Sequence, residues 1–391
     1  MYDISMKCYY CGNNPVPHQF VKANETMALL LEPLDRFSQW IGLHKLLDPI
    51  FYKATPLGVK ILENLGIVRF TQDISQVRTT RSKVIWTEAA RRGITMEQMH
   101  ILGRATDFFR AIINGKIIYF ESLPIPRHLN LESEQWLDNK MQLKKRLLEA
   151  GLPAPRGGGF KKWPEMKRAF SMLKRPVIIK PAIGSRGRHT TTNIHTEKQL
   201  KEAYRAAKQI AERLVMEEHL IGSVYRATIV NDKLVGVLRG DPPRVTGDGI
   251  STITELVQLK NKNKHADVHE VEITPYIENF LSRNNYTTET ILPKGQTIDL
   301  MEKIGVGYGG YKAEEIEITH PETKRILEEV GRLVNFPVMG FDFIVQDITK
   351  DPHTQNWGII ECNSLPFIDL HHFPLEGQPV NVAGYVWDLW K

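Results

Sequence analysis

Residues 177–190 read VIIKPAIGSRGRHT. A β-branched apolar run ends in Lys180-Pro181, and a loop with Gly184, Ser185 and Gly187 between basic residues follows. Glycines let backbone N–H groups turn inward on an anion, and Lys180 at a strand end adds a point charge. A Walker-type loop would run from Gly-Lys-Ser/Thr straight into a helix. Here the next residues, TTTNI (190–194), are β-branched and predict a strand. That leaves a two-stranded flap over phosphates or a plain basic hairpin, and taken alone the stretch reads equally well as either.

Working outward, the segment before it, WLDNKMQLKKRLLEAGLPAP (136–155), predicts a helix. Leu143 and Leu147 lie one turn apart, Lys144 interrupts their face, and Gly151 with Pro153 ends the helix. After the loop, 196–214 is an amphipathic helix and 214–240 alternates strand and turn, with Asn231-Asp232 as a hairpin turn. Residues 251–300 are polar and read as an insertion or lid. HPETKRILEEVGRLV (320–334) is a helix with Pro321 in its first turn. VMGFDFIVQD (338–347) and NWGIIECNSLP (356–366) are two strands joined by a polar turn.

In the first 130 residues, FFRAIINGKIIYF (108–120) folds at Asn114-Gly115 as a type I′ hairpin, and two prolines in LPIPRHLNLES (123–133) mark a boundary. The mixed rhythm of helices and strands predicts an α+β fold, not a doubly wound parallel sheet. The expected domains are 1–130, an α/β unit for substrate or polymer binding; 131–220, carrying the phosphate loop; and 221–391, carrying a metal site and the insertion.

The strongest chemical signal lies in the last two strands. Asp342 and Glu361 sit on apolar strands, and Asn363 shares a face with Glu361 by the period-two rule. Three oxygen donors on neighbouring strands suit Mg²⁺, which favours carboxylates plus nucleotide phosphates. The bland alternative is solvent-side carboxylates on amphipathic strands. Weaker is LVMEEHLIG (214–222), where a strand ending in Glu217-Glu218 could offer backbone groups to an adenine edge.

The order of these features resembles the ATP-grasp ligases from residue 131 onward. The stretch YRATIVNDKLVGVLRGDPPRVTGDGISTITELV (225–257) is similar to the ATP-grasp module of cyanophycin synthetases. It carries the Pro242-Pro243, Val245, Gly247-Asp248-Gly249, Thr252-Ile253 and Glu255-Leu256 positions of that family's string. The resemblance implies an ATP-grasp fold of two α+β subdomains gripping ATP. Lys140, Lys180, Gly184, Ser185 and Gly187 would hold phosphates, and Glu217, Glu218, His219 and Leu220 would frame the adenine. Asp342, Glu361 and Asn363 would bind two Mg²⁺ ions, with Mn²⁺ as the alternative. Arg226 and Arg239 would steady phosphates or a substrate carboxylate through their planar forks.

The implied reaction joins a carboxylate to an amine through an acyl phosphate, on an amino acid or peptide. Extension or capping of a polyamide is the alternative, and a non-catalytic nucleotide- or polymer-binding protein is the reading from another class. Two departures stand out: Val224 replaces a usual acidic residue and Phe367 a common glycine. The muramyl-ligase-like domain that follows in cyanophycin synthetases is not in these 391 residues, which points to a single ligation. A homo-oligomer is expected by resemblance.

Composition agrees with a globular enzyme: 42% hydrophobic, 25% charged, net charge +6. That charge suits an anionic ligand but is too small to argue for nucleic acid. No apolar run reaches membrane-spanning length and no export signal opens the chain, so a cytoplasmic enzyme without membrane partners is expected. Cys8, Cys11 and His18 form a metal-like spacing without a second ligand pair, for which ordinary packing is the preferred reading. His265 and His269 lack a zincin glutamate and read as solvated. His371-His372 read equally as substrate contacts or loop residues. The basic stretch 78–93 could meet an acidic substrate or simply face solvent.

Overall fold

The computed structural model describes residues 55–126, 136–182 and 188–391, with residues 8, 10–11, 16–27 and 30 near the N-terminus. Gly184, Ser185 and Gly187, with Arg186, lie outside the described residues, as do residues 127–135, which contain most of the expected boundary.

The first unit is a four-stranded antiparallel sheet of β1 (Val68–Thr71), β2 (Thr95–Ile101), β3 (Arg104–Ile113) and β4 (Lys116–Glu121), in that order. Between β3 and β4, Asn114 and Gly115 both take positive φ (51° and 75°), the turn that NG demands. Helix α1 (Thr80–Arg91) covers one face with Ile85 and Trp86 against Phe109 and Phe120.

The second unit holds α2 (Lys140–Glu149), β5 (Gly157–Phe160), α3 (Trp163–Phe170), β6 (Val177–Pro181), β7 (Thr191–Ile194), α4 (Glu197–Ala207) and β8 (Leu214–Glu218). Its strands pair antiparallel in the order β5-β8-β6-β7. The Asn139 side chain caps α2 by accepting from the Met141 and Gln142 amides, worth about 1 kcal/mol. Residues 191–194 of TTTNI form β7, with Ile194 opposite Val177, so a strand paired with β6 and not a helix follows the glycine segment in sequence.

The third unit is built on a five-stranded sheet, with an excursion inserted into it. In chain order come β9 (Ser223–Val230), β10 (Lys233–Asp241), β11 (Arg244–Thr246), α5 (Ile253–Lys262), α6 (Pro275–Arg283), β12 (Thr297–Asp299), β13 (Tyr311–Glu314), α7 (Pro321–Val334), β14 (Val338–Val345), β15 (Gly358–Asn363), α8 (Asp369–His372) and α9 (Val382–Asp388). The large sheet has the order β13-β10-β9-β14-β15, all antiparallel. Period-two alternation divides its faces. Tyr225, Ala227, Ile229, Phe341 and Phe343 pack with α7 and with Leu143 and Leu147 of α2. The opposite face carries Arg226, Thr228 and Asp342, beneath the segment 364–372.

That cover lies close. A Cβ on Gly340 would come within 2.8 Å of Pro366, and one on Gly236 within 2.5 Å of His371. Bare glycine backbone at these two positions lets the segment approach the sheet.

Residues 251–300 are more than a polar insertion. Ile253, Leu256 and Val257 of α5 and Ile277 and Leu281 of α6 bury a common core with Val245, Leu292 and Leu300. The apolar stripe at helical spacing supplies that core, although the average composition is polar. The expected break near residue 130 is also crossed in space. Trp387 of α9 donates its Nε1–H to Ile85 O of α1 at 2.9 Å, and Arg92 pairs with Asp388 at 2.6 Å. The first unit and the C-terminal helix thus share one core. No helix of the described residues is long and apolar enough to cross a membrane.

Candidate active site

Asp342 and Glu361 are direct cross-strand partners on β14 and β15, and Gly340 faces Asn363 one step along. The two carboxylates therefore project from one sheet surface, with Asn363 two residues beyond Glu361. Arg226, the partner of Asp342 on β9, grips it bidentately: Nε to Oδ1 and Nη2 to Oδ2, both 2.8 Å. Lys140, in the first turn of α2, reaches Glu361 at 3.0 Å. Asp138 holds the chain after β15, accepting from the Ser364 amide at 2.9 Å and hydroxyl at 2.7 Å.

One turn further along α2, Lys144 points to a different carboxylate. Lys144 Nζ stands 2.8 Å from Glu217 Oε1, and Lys180 Nζ stands 3.1 Å from the same oxygen. This trio is dry: Lys144 is 4% and Glu217 1% exposed. Burial alone would raise the Glu217 pKa, but the two ammonium groups outweigh it and the carboxyl is held below its usual range. Desolvation pushes Lys144 down to about 8, with Glu217 opposing and Lys180 adding to the shift. Helix α2 thus links two charge clusters, its Lys140 and Lys144 standing roughly 6 Å apart along the helix axis. The interruption of its apolar face is a buried cation aimed at Glu217. A lone lysine inside an i, i+3, i+4 apolar stripe is the signal by which sequence reasoning could have found it.

The remaining expected residues divide. Glu217 turns into the lysine pair, while Glu218 accepts from the Lys174 amide at 3.0 Å. The Glu218 and His219 amides donate to Arg156 O and Pro176 O. Leu220 is buried beyond them. Arg239 does not join Arg226. It lies opposite Tyr225 while Arg226 lies opposite Leu238, so the two arginines occupy opposite faces. Arg239 is engaged by Asp241 at 2.7 Å and Glu315 at 3.4 Å. His371 is fully buried, clamped between Glu314 and the Thr228 hydroxyl, and His372 is held by the Ala383 amide. His265 is exposed.

The basic stretch 78–93 contributes one residue to this site. Arg81 of α1 donates to Leu365 O at 2.6 Å and to Ser122 Oγ at 2.8 Å, and lies over the Phe367 ring at 5.4 Å. Arg226 approaches the same ring at 6.0 Å. Phe367, at the departed glycine position, is 54% exposed between the two guanidinium groups. Among the described residues, Arg81 Nε and Asp369 Oδ1 are buried without hydrogen-bond partners. Burial raises the Asp369 pKa, with Arg81 and Lys312 near enough to oppose it.

The donor set near Asp342 fits a divalent cation. Two adjacent carboxylates are hard oxygen ligands, and the buried Asn363 Nδ2 has no partner among the described residues. Turning that amide about its last bond would present its oxygen to the same place.

The architecture is the ATP-grasp fold. Over 79% of this chain and 44% of the other, it matches the crystal structure of a bifunctional glutathione synthetase from Pasteurella multocida, with TM-score 0.54 and 22% identity. In sequence the chain is similar to cyanophycin synthetases. It is 32% identical to the one from a Synechocystis species over 260 residues, which are 64% of this chain and 30% of the relative. It is also 26% identical over 319 residues to the glutathione biosynthesis bifunctional protein GshAB of Clostridium perfringens, covering 79% of this chain and 40% of the relative. The chain spans less than half the length of these curated relatives. No family model matches it.

Proposed function

We propose that the protein is an ATP-dependent carboxylate–amine ligase acting on an amino acid or peptide. The observation that carries this reading is the pairing of Asp342 with Glu361, linked through Lys140 and Lys144 of α2 to the buried Lys180–Glu217 cluster. Relatives named for making cyanophycin and glutathione support the substrate class.

In this reading Lys144 and Lys180, two cations around one carboxylate, receive the triphosphate, and Lys140 adds to them. Asp342, Glu361 and Asn363 hold Mg²⁺, which when bound would neutralise phosphate charge and orient the γ-phosphoryl group. A substrate carboxylate oxygen attacks that phosphorus, the bond to the bridging oxygen breaks, and ADP leaves. An amine then attacks the acyl carbon, loses a proton, and expels inorganic phosphate to leave an amide. The chain's part is positioning and charge complementarity, so no nucleophilic side chain is required.

Arg226 keeps Asp342 oriented. Arg81 Nε and Asp369 Oδ1, buried and without partners among the described residues, would become one donor and one acceptor for the carboxylate and ammonium of an amino acid, with Phe367 against its side chain.

The test is ADP release with Mg²⁺ over a panel of amino acids and dipeptides. Stimulation by one carboxylate and one amine together, with amide product by mass spectrometry, is expected. Turnover independent of every substrate and unchanged in Asp342→Asn would defeat the reading.

A further inference from the structure

Far in sequence from those carboxylates, the N-terminal segment folds against the foot of the glycine-rich loop. Cys8, Cys11 and His18 meet His189 there, a residue 171 positions beyond His18. Their four ligand atoms all lie within 4.8 Å of one another. Cys11 Sγ is 3.2 Å from His18 Nε2 and 3.4 Å from His189 Nε2, Cys8 Sγ is 3.6 Å from His189 Nε2, and the two Nε2 atoms are 3.2 Å apart.

Zinc held at ordinary bond lengths by two thiolates and two imidazoles sets tetrahedral edges of about 3.3 to 3.8 Å. Four of the six separations, 3.2 to 3.6 Å, are close to those edges, and the other two are within 4.8 Å. The tautomer agrees as well. His189 Nδ1 lies 2.7 Å from Ala206 O and so carries its proton toward that carbonyl, leaving the Nε2 lone pair facing the cluster. Three groups then converge on that one lone pair within 3.6 Å: both sulfurs and the second imidazole. A single lone pair cannot serve three hydrogen-bond donors, whereas one cation at their centre satisfies all four ligands. Cys11 and His189 are fully buried, so water does not supply the missing partners.

We propose that Cys8, Cys11, His18 and His189 form a structural zinc site that fastens the N-terminal segment to the root of the loop preceding His189. The S₂N₂ donor set and its tetrahedral closure select zinc over hard cations such as Mg²⁺. The site is distinct in ligand chemistry and place from the carboxylates on β14 and β15. The surroundings are already joined around it. The Cys11 amide donates to Cys8 O at 3.1 Å, closing the turn between the two thiols, and the His189 amide donates to Tyr10 O at 2.8 Å. Lys303, beyond the 251–300 lobe, donates to Cys11 O at 2.8 Å. The metal would therefore lock the N-terminal segment to His189, just before β7, with Lys303 held beside it through Cys11 O.

The full-length protein, purified without chelators or metal-affinity resin, should carry about one zinc per chain by elemental analysis. Titration of its thiols with a mercurial in the presence of a zinc indicator should release that zinc stoichiometrically. Cys8→Ser and His18→Ala, at the two less buried ligands, should each lose most of it while circular dichroism stays unchanged. X-ray absorption should show two sulfur and two nitrogen neighbours. Protein that binds no zinc when supplied with Zn²⁺ alone, or that retains one equivalent in both variants, would overturn the site, as would a Cys8–Cys11 disulfide in the freshly purified chain.

Discussion

The two charge clusters met by the first two turns of α2 are built from similar residues but balanced differently. Around Glu217 two ammonium groups share one carboxylate in a dry setting. Around Asp342 and Glu361 two carboxylates face one guanidinium and one ammonium, with side chains 11–33% exposed. The first cluster has cationic charge to spare, which an incoming polyphosphate would use. The second is neutral until something displaces its cations. Arg226 and Lys140 stand where a divalent ion would do the same electrostatic work. A buried excess of charge invites a counter-ion, and a balanced pair only exchanges one.

The sharpest way to break the comparison is to remove the balanced carboxylates. Asp342→Asn with Glu361→Gln should lower ligase turnover by about a thousandfold or more, since the charge-stabilising element of a phosphoryl transfer is lost. Stabilisation of the fold by ATP alone should persist, while the additional thermal shift from Mg²⁺ should vanish. An undiminished Mg²⁺-dependent shift would place the metal elsewhere.

The unbalanced cluster should respond at the level of ATP binding. Lys144→Met leaves Glu217 paired with Lys180, so folding should survive, and ATP affinity should fall about 10- to 100-fold, the worth of one charge-assisted hydrogen bond. The same residue sets a pH signature. With its pKa near 8, Lys144 is partly neutral in the free protein at that pH. A bound triphosphate favours the charged form and raises the pKa, so binding takes up protons and weakens as pH rises through about 8. Calorimetry at pH 8 in two buffers of different ionisation enthalpy should show net proton uptake, and Lys144→Met should abolish it. Equal heats in both buffers for the wild type would remove Lys144 from the phosphate site.

Much of this was legible in the chain, and the failures have a common cause. The placement of Asp342, Glu361 and Asn363 on paired strands was legible because strand alternation is local, and NG at 114–115 and ND at 231–232 announced their hairpins through positive φ. Lys144 reads only as an interruption of an apolar face because its partner Glu217 lies 73 residues away, on a different element. The Cys8, Cys11 and His18 set read as incomplete for the same reason, its fourth member arriving from residue 189. Arg239 looked equivalent to Arg226 until strand register put them on opposite faces. Residues 251–300 read as a polar insertion or lid because average composition hides two short apolar stripes. Local periodicity was visible in the sequence, whereas pairing across the fold was not.

A third variant tests whether the N-terminal unit takes part in the balanced end. Arg81→Ala removes the guanidinium that meets Phe367 and leaves Asp369 with Lys312 as its opposing cation. KM for the amino-acid substrate should rise about tenfold with little change in kcat, because the group would bind ground and transition states alike. A fall in kcat at constant KM would assign it to the reacting phosphoryl group.

The smallest effect is expected at Lys140, which belongs to both ends of the comparison. It sits on the bridging helix yet pairs with Glu361, where a metal would compete with it. In the proposed ligase Lys140→Met would remove one phosphate cation but also free a metal ligand, and the two consequences would oppose each other in turnover. ATP affinity should drop only a few-fold, since the Glu361 partner is a third exposed and solvent already screens it. Apparent Mg²⁺ affinity should tighten by a similar factor, because Glu361 no longer has a resident counter-ion. Titrating Mg²⁺ at fixed ATP, and ATP at fixed Mg²⁺, separates the two shifts. Should both affinities weaken, Lys140 would be holding the metal-bound phosphates directly and not standing in for the ion.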